Sequence, residues 1–366
     1  MTAGRDSRVL LGLSMAAGWR PTYYTSGADG DVDVDVARGV TERLGLPYEV
    51  VTPEVPQSKD AWTAATARFV AQTDGSATLR GIDDWVDHQP LGPVGLKLWG
   101  AGGEIGRAGN IGLAIPFAAQ AAGLRRAIAP QRAVLRSKVS HALFRPLAIH
   151  TTQAALDDFI RERAAEGWDA PELLESFYAF ERVANWAACG VRRAAAATDL
   201  YSPFVSRDFI EWCFSLSPGE RFVEAPHWRL LGELAPELRD MPFERAWRRQ
   251  RPRAAQAMLL REVGARGAER VRRKLRPAAR GGARPSFGAR WLEAGLDVHR
   301  ELCFDNGSSP LWDLVDRRAL ERALAASAEE RSRRLGSLCT TLTAFWWFHG
   351  REAAAPAHTP RLAAVG

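Results

Sequence analysis

Residues 8–27 read R-V-L-L-G-L-S-M-A-A-G-W-R-P-T-Y-Y-T-S-G, and this stretch decides the fold class. A helical pattern covers residues 7–18, and a run of β-forming residues at 21–25 follows it almost at once. The same order returns with a helical pattern at 33–44 and a strand pattern at 48–52. Because strands and helices alternate at this spacing, the sequence predicts βαβ units and a parallel sheet.

The patterns that follow extend this prediction to the rest of the chain. A helix is predicted at 59–72 and a strand at 95–99, which ends in a glycine-rich turn. Beyond residue 123 helical patterns dominate, and the clearest of them cover 152–165, 171–197, 206–216 and 335–349. We therefore predict an α/β protein, with a parallel-sheet lobe over residues 1–120 and a mainly helical lobe over residues 121–350.

Composition limits what this chain can be. Its 366 residues are 46% hydrophobic and include 13 Trp, enough for a sizeable core, which excludes a disordered or collagen-like protein. No apolar run reaches the roughly 20 residues that cross a bilayer, and the best candidate, at 111–124, contains Gln120. Residues 1–6 carry charges where an export signal needs an apolar stretch. The four Cys lie far apart, which argues against a disulfide scaffold and a thiolate zinc site. We predict a cytoplasmic protein.

The net charge of +6 is concentrated in one region. Residues 245–284 hold 14 Lys or Arg and 2 Glu, so the rest of the chain is acidic. Trp247 is almost the only aromatic residue there, whereas single-stranded nucleic acids need aromatic side chains on which bases stack. The pattern therefore favours a solvated loop, or one that closes over polyphosphate, rather than a nucleic-acid surface. Residues 246–288 are predicted to be partly flexible, and 351–366 to form a disordered tail.

The first residues form a loop of small side chains directly before a helical pattern, Thr2-Ala3-Gly4-Arg5-Asp6-Ser7. Unpaired backbone N–H groups and the positive end of the helix dipole make such a junction a cradle for phosphate. Ser7 adds a hydroxyl donor, Arg5 adds positive charge, and Asp6 can hold Mg²⁺ against the phosphates. Residues 2–7 are therefore the first candidate nucleotide-binding segment.

A second candidate segment is W-G-A-G-G-E-I-G-R at residues 99–107, which follows the predicted strand at 95–99. The carboxyl ends of parallel strands form the edge at which open α/β sheets bind ligands. At this edge the candidate metal ligand is Glu104. The candidate nucleotide contacts are Gly100, Gly102 and Gly103 from the same segment, and Tyr24 and Thr25 from the strand pattern at 21–25.

These two segments resemble motifs of the asparagine synthetase family, within the ATP pyrophosphatase superfamily. Residues 2–7 are similar to the pyrophosphate loop S-G-G-x-D-S, with Thr2 and Ala3 in place of the first Ser and Gly. Residues 100–104 are similar to the motif G-D-G-A-D-E, with Ala101 in place of the first Asp and Glu104 in the second acidic position. The resemblance extends over about residues 2–245 and returns in the helical pattern at 335–348.

Two further stretches follow the order of the same family. Residues 199–206, D-L-Y-S-P-F-V-S, resemble E-v-R-x-P-F-L-D, with Tyr201 in place of the Arg. On this register Asp199 takes the place of the Glu, and the resemblance implies that it deprotonates or orients an attacking amine. Residues 227–233 take the place of K-x-x-L-R-E, so Arg229 stands where the family stabilises pyrophosphate with Lys. An Arg can hold phosphate through two hydrogen bonds but cannot readily donate a proton.

The resemblance implies an ATP-dependent ligase that uses Mg²⁺. A substrate carboxylate attacks the α-phosphorus of ATP to give an acyl-adenylate and pyrophosphate, and ammonia or an amine then displaces AMP. Asparagine biosynthesis and the cyclisation of a peptide or natural product are both reactions of this kind. Most of the rate enhancement in such a site is electrostatic and positional.

The chain departs from the family in two ways. In an α/β sheet the phosphate loop follows a central strand, whereas only Met1 precedes residue 2 here. We therefore expect an N-terminally truncated form of a longer protein, in which the first strand is missing. Glutamine-dependent members also carry an N-terminal glutaminase domain that this sequence does not contain, so free ammonia, a substrate amine or a partner is the expected nitrogen source.

Three alternatives stay open at this point. A tRNA-modifying or sulfur-transferring enzyme of the same superfamily needs a catalytic Cys, and the first Cys of this chain is Cys189. A degenerate, non-catalytic ATP-binding or scaffold protein would explain the substitutions at Ala3, Ala101, Tyr201 and Arg229. Nucleic-acid binding through residues 245–284 is the third alternative.

Overall fold

The computed structural model describes residues 1–88, 94–107, 143–168, 170–190, 198–248, 250–254, 257–258, 261 and 285–350. The predicted apolar run at 111–124, most of the Arg-rich segment at 246–288 and the tail at 351–366 lie outside these residues. Within the described part, no helix is both long enough and apolar enough to span a membrane. The four cysteines are free thiols, as predicted from their spacing.

The N-terminal region alternates helices and strands as the sequence predicts. Its elements are α1 (Arg5–Ala16), β1 (Tyr23–Ser26), α2 (Val32–Leu44), β2 (Tyr48–Val51), α3 (Lys59–Gln72), α4 (Ile82–His88) and β3 (Val94–Leu98). Strands β1 and β2 are parallel, and Tyr23 pairs with Tyr48. The predicted parallel pairing is thus confirmed, although each strand is only four or five residues long.

A fourth strand comes from a distant part of the chain. Strand β4 (Thr198–Tyr201) lies parallel to β3, with Leu96 opposite Asp199 and Leu98 opposite Tyr201. The described strands therefore form two separate parallel pairs, β1 with β2 and β3 with β4. The sequence predicted a mainly helical region after residue 120 and did not indicate β4, because these four residues lie among helical patterns and pair with a strand from a distant part of the chain.

The remaining elements are mainly helical. They are α5 (Pro146–Ala165), α6 (Ala170–Ser176), a π-helical continuation (Phe177–Ala187), α7 (Arg207–Ser215), α8 (Pro218–Phe222), α9 (Ala225–Leu234), α10 (Phe287–Ala294), α11 (Leu296–Phe304), α12 (Arg317–Ala325), α13 (Ala328–Arg333) and α14 (Leu335–His349). Short 3₁₀ turns cover Leu79–Gly81, Gly103–Arg107, Pro203–Val205, Pro236–Arg239, Pro252–Ala254 and Pro310–Asp313. The mainly helical character of this region, predicted from the sequence, is confirmed.

The helix boundaries follow their capping residues. Ser206 caps α7 by accepting a hydrogen bond from the backbone N–H of Phe209, as predicted. Helix α7 ends at Ser215, next to the predicted end at residue 216, and Pro218 begins α8 at its first position, where a missing N–H costs nothing. Helix α5 likewise begins at Pro146, six residues before the predicted start.

Three apolar cores hold these elements together. The first joins α3 and the segment after it to the C-terminal helices, through Trp62, Phe69, Trp291, Leu342 and Trp346. The second joins the turn after β3 to α5 and α6, through Ile105, Phe159, Ile160 and Leu173. The third joins α1 and β1 to α9, through Val9, Leu11, Tyr23, Phe204 and Leu231. Helix α1 and the turn after β3 are thus held against the same helical region, which positions the candidate site.

Candidate functional site

The N-terminus of α1 has no side-chain cap. Gly4 is the N-cap residue in an extended conformation, and no side chain accepts a hydrogen bond from the first backbone N–H groups of the helix. The Thr2 hydroxyl accepts a long hydrogen bond of 3.3 Å from the Gly4 N–H and lies 2.8 Å from the Ser7 hydroxyl. Two hydroxyls therefore lie beside the positive end of the helix dipole, in the loop that the sequence predicted to hold phosphate.

The glycine-rich turn after β3 packs directly on this junction. A Cβ atom on Gly103 would lie 2.2 Å from Oδ1 of Asp6, so no other residue fits there without displacing Asp6. Gly102 has a φ of +88°, and a Cβ atom there would lie 2.8 Å from the Val205 side chain. The Ser202 hydroxyl donates to the Ala101 carbonyl at 2.6 Å. Three stretches that the sequence singled out, at 2–7, 99–107 and 199–206, thus touch one another.

Asp6 and Glu104 share one guanidinium. Nη2 of Arg107 lies 2.7 Å from Oδ2 of Asp6 and 3.4 Å from Oε1 of Glu104. The structure therefore brings together the two carboxylates predicted to act as metal ligands, although Arg107 lies between them. The other Asp6 oxygen, Oδ1, lies 2.7 Å from Nε2 of His227. We call Asp6, Glu104, Arg107 and His227 the Asp6 cluster.

His227 is the residue of the cluster that sequence reasoning missed. It lies on α9 with no exposed surface, and its Nδ1 atom has no hydrogen-bond partner. Donation from Nε2–H to the Asp6 carboxylate is the tautomer that satisfies Asp6. Its neighbour Arg229 was the predicted functional residue, yet it is half exposed and donates to Glu220 at 2.7 Å. A helical period would have put His227 on the buried face of α9, which was the available signal.

Arg5 lies in a different environment from the one predicted. It is 6% exposed, and its guanidinium donates to Glu224 at 3.1 Å and to the Ala246 carbonyl at 2.9 Å. The same guanidinium stacks on Phe243 and Trp247. These partners use its positive charge to fix the N-terminal loop to the segment after α9, so its contacts do not join it to the Asp6 cluster. Ala3, also predicted as a nucleotide contact, is fully buried.

The remaining predicted site residues lie on the strands. Tyr24 is in β1, and its carbonyl accepts a hydrogen bond from the amino group of Met1. The Thr25 hydroxyl donates to the Met1 carbonyl at 2.5 Å, and Nζ of Lys97 in β3 lies 5.1 Å from the Tyr24 ring. Asp199 is exposed in β4, where it lies opposite Leu96 of β3.

A second group of buried polar side chains lies behind Glu104. The Tyr178 side chain is 5% exposed, and burial, then the nearby Glu104 carboxylate, raise its pKa. Glu175, one helical turn earlier, is buried, and desolvation raises its pKa to about 7 although the Arg221 guanidinium opposes the shift. Arg221 has no exposed surface and donates to the carbonyls of Cys213 and Leu216, yet its Nε and Nη2 atoms have no partner. Sequence reasoning missed these residues because they occupy apolar positions of helical patterns.

The Asp6 cluster fits one kind of metal site and not another. Among the described residues, no group of three or more His, Cys, Asp or Glu side chains is arranged to hold a metal ion by protein ligands alone. Mg²⁺ that arrives with ATP needs only one or two carboxylates, because phosphate oxygens and water complete its coordination. Asp6 and Glu104 provide that donor set, with an uncapped helix N-terminus beside them.

Comparisons of the chain with protein-family models, with curated proteins and with solved structures gave no match. The functional inference therefore depends on the geometry of the Asp6 cluster and on the residues around it.

Proposed function

We propose that this protein is an ATP-dependent ligase of the asparagine synthetase type. It adenylates a carboxylate with release of pyrophosphate and passes the acyl group to ammonia or an amine. The substrates would be a small-molecule or peptide carboxylate and an amine, as in asparagine biosynthesis or natural-product cyclisation. ATP is the expected cosubstrate, Mg²⁺ the expected metal, and the cytoplasm the expected compartment.

One observation carries the proposal: Asp6 and Glu104, almost a hundred residues apart, contact the same Arg107 nitrogen beside the uncapped N-terminus of α1. A nucleoside triphosphate bound with a divalent cation needs both signs of charge within a few ångströms. Backbone N–H groups and Arg107 suit the phosphate oxygens, while the two carboxylates suit the cation. The close packing of Gly103 on Asp6 keeps the two segments in contact.

The chemistry requires little covalent participation by the protein. A carboxylate oxygen forms a bond to the α-phosphorus while the bond to the β-phosphate oxygen breaks, and an amine later forms a C–N bond as AMP leaves. Mg²⁺, when bound, would neutralise charge on the departing pyrophosphate. Arg107 and the α1 N–H groups would hold phosphate oxygens, and His227 would orient the Asp6 carboxylate. Asp199 stays the candidate to orient the amine, and Arg229 the candidate to hold pyrophosphate.

Exchange of labelled pyrophosphate into ATP tests the proposal without knowledge of the amine. We expect exchange that requires Mg²⁺ and one of a panel of amino-acid and peptide carboxylates. Asp6→Asn and Glu104→Gln should each lower the exchange rate at least tenfold, since each removes a negative charge from the predicted cation site. Glu237→Gln is the matched control, because Glu237 is exposed and lies outside the cluster.

One result would contradict the proposed role of the Asp6 cluster. Equal exchange by wild-type protein and both cluster variants would remove the Asp6 cluster from the reaction. Circular dichroism of each variant separates lost activity from lost folding, and ATP binding measured by calorimetry separates lost chemistry from lost affinity.

A second candidate function is supported by a specific contact pattern. Both Asp6 oxygens are already bound by cationic or hydrogen-bonding groups, Arg107 and His227. A non-catalytic ATP-binding or scaffold protein would retain such a closed ion pair as a structural element. ATP binding that is independent of Mg²⁺, with no pyrophosphate exchange for any carboxylate, would favour this candidate over the ligase.

A further inference from the structure

A cavity of about 780 Å³ lies outside the Asp6 cluster, between the segment after β2 and the C-terminal helices. One wall is the chain from Thr52 to Lys59, and the other is a helical stripe that includes Arg290, Ala294 and Asp297. The Thr52 hydroxyl donates to the Gly27 carbonyl at 2.9 Å, so the carboxyl ends of β1 and β2 hold the rim of the cavity. Its volume falls within the range of about 300–1,000 Å³ that is typical of small-molecule sites.

Arg290 is the unusual residue of this cavity. Its Nε atom is buried without a hydrogen-bond partner, and its guanidinium carbon lies 5.2 Å from the Phe287 ring centroid. Among the described residues, no carboxylate forms an ion pair with it. A guanidinium that lacks acceptors is costly when it is partly desolvated, and a planar carboxylate is the group that best supplies them.

The other charged side chains of the cavity indicate which kind of ligand can bind beside Arg290. Lys59 is neutralised by Glu301, at 3.0 Å, so Arg290 is the cation that the described contacts leave without a carboxylate. Glu54 and Asp297 also line the cavity, and Asp297 forms an exposed ion pair with Arg300 at 3.8 Å. Glu54 is therefore the lining carboxylate for which the described contacts give no cation. One guanidinium and one carboxylate in the same cavity favour a ligand that carries one negative and one positive charge over a phosphate or another polyanion.

The rest of the lining is partly polar and partly apolar. Thr52, Gln57 and Ser58 contribute exposed polar groups, whereas Pro53, Pro56 and Val298 form an apolar part of the wall. Behind this wall the buried Trp62 is held by a hydrogen bond from Nε1 to the Trp291 carbonyl at 3.1 Å. An apolar wall beside a guanidinium suits a ligand with an apolar side chain next to its charged groups.

We propose that this cavity binds an α-amino acid with an apolar or aromatic side chain. The carboxylate would contact Arg290, the ammonium group would lie beside Glu54, and the side chain would pack against Pro56 and Val298. The site is independent of the proposed ATP chemistry, because none of its lining residues belongs to the Asp6 cluster.

Binding is tested on the full chain without ATP. Each of the twenty amino acids, at up to 10 mM, is titrated by calorimetry, with saturation-transfer NMR to detect weak binders. We expect at least one apolar or aromatic amino acid to bind, and its amide and N-acetyl forms to bind at least tenfold more weakly. Binding that tolerates the N-acetyl group would overturn the assignment of a zwitterion.

Variants connect that binding to the cavity. Arg290→Gln should weaken it at least tenfold, whereas the exposed Arg318→Gln should leave it unchanged. Glu54 lies on an exposed segment, so Glu54→Gln tests the ammonium side without loss of folding. The proposal is overturned if folded wild-type protein binds none of the twenty amino acids, or if Arg290→Gln and Glu54→Gln bind as the wild type does. Pyrophosphate exchange can succeed or fail in either case, so the two proposals are judged separately.

Discussion

At the scale of single residues, the candidate site depends on the contact between Gly103 and Asp6. In Gly103→Ala the new methyl group would overlap Oδ1 of Asp6, whose position is fixed by His227 and Arg107. We expect ATP·Mg²⁺ affinity to fall at least tenfold and the free energy of unfolding to fall by about 1–3 kcal/mol, as for other overpacked sites. Calorimetric titration with ATP and urea unfolding measure the two effects.

A matched glycine controls for the added methyl group. At Gly307 the nearest atom to an added Cβ is Nη1 of Arg317, at 3.7 Å, which is ordinary contact. Gly307→Ala should therefore change neither affinity nor stability appreciably. If Gly103→Ala bound ATP as tightly as Gly307→Ala does, the close packing of the glycine-rich turn on Asp6 would have no bearing on nucleotide binding.

The sequence predicted the residues of the site that lie in loops and missed those that lie on helices. Asp6, Glu104 and the glycines lie in loops, where small residues and charges stand out from their surroundings. His227 and Glu175 lie on helices at positions where the pattern calls for an apolar residue, so a polar side chain on a buried helical face is the signal that the sequence offers for them. The prediction for Arg5 was wrong for the opposite reason. Its charge suggested an exposed side chain at the phosphate loop, whereas Glu224, Phe243 and Trp247 bury it.

At the scale of elements, the surrounding pattern decided which segments were predicted. Helices α3 and α14 have the predicted bounds, because their apolar residues recur over four turns. Strands β1 and β2 are as short as β4, yet they were predicted because they alternate with helical patterns. Strand β4 was missed because it lies among helical patterns, and it is defined by its pairing with β3 from a distant part of the chain.

The junction between α10 and α11 leaves no room for a side chain at Gly295. A Cβ atom on Gly295 would lie 2.0 Å from the Trp62 indole, which is buried and hydrogen-bonded. We expect Gly295→Ala to lower the free energy of unfolding by about 1–3 kcal/mol, since neither the indole nor the helix junction can move freely. Urea unfolding followed by tryptophan fluorescence measures the loss.

The exposed helix α2 provides the opposite case for the same substitution. No atom lies within 4 Å of an added Cβ on Gly39, so Gly39→Ala should stabilise the protein by about 0.5–1 kcal/mol through helix propensity. The expected signs are therefore opposite for two glycine-to-alanine changes in one chain. Equal effects of the two substitutions would contradict the close contact between Gly295 and Trp62.

At the scale of the whole molecule, two buried groups in different cores make stability depend on pH in opposite directions. Burial lowers the pKa of His299 from 6.5 to about 3, and the His299 ring accepts a hydrogen bond from Trp346 at 3.1 Å in the first core. Burial raises the pKa of Glu175 from 4.5 to about 7, on the helix that carries Leu173 into the second core. The folded chain thus resists both the protonation of His299 and the ionisation of Glu175.

The sign of each contribution follows from proton binding. Between pH 3 and 6.5 His299 is protonated in the unfolded state but neutral in the folded state, so the free energy of unfolding rises with pH. Between pH 4.5 and 7 folded Glu175 keeps a proton that the unfolded state has lost, so stability falls as pH rises. The two windows overlap from pH 4.5 to 6.5, and there the slopes cancel.

Single substitutions separate the two slopes. In His299→Asn the falling slope of Glu175 remains, so stability relative to wild type should decrease by about 3 kcal/mol as pH rises from 4.5 to 6.5. In Glu175→Gln the rising slope of His299 remains. The free energy of unfolding relative to wild type should therefore increase by about 3 kcal/mol as pH rises from 4.5 to 6.5. Urea unfolding at half-unit pH steps measures both, and any constant loss from the substitution itself cancels because only the dependence on pH is compared. A Glu175→Gln profile parallel to wild type would mean that Glu175 is solvated in the folded protein, and that the buried polar group behind Glu104 is open to water.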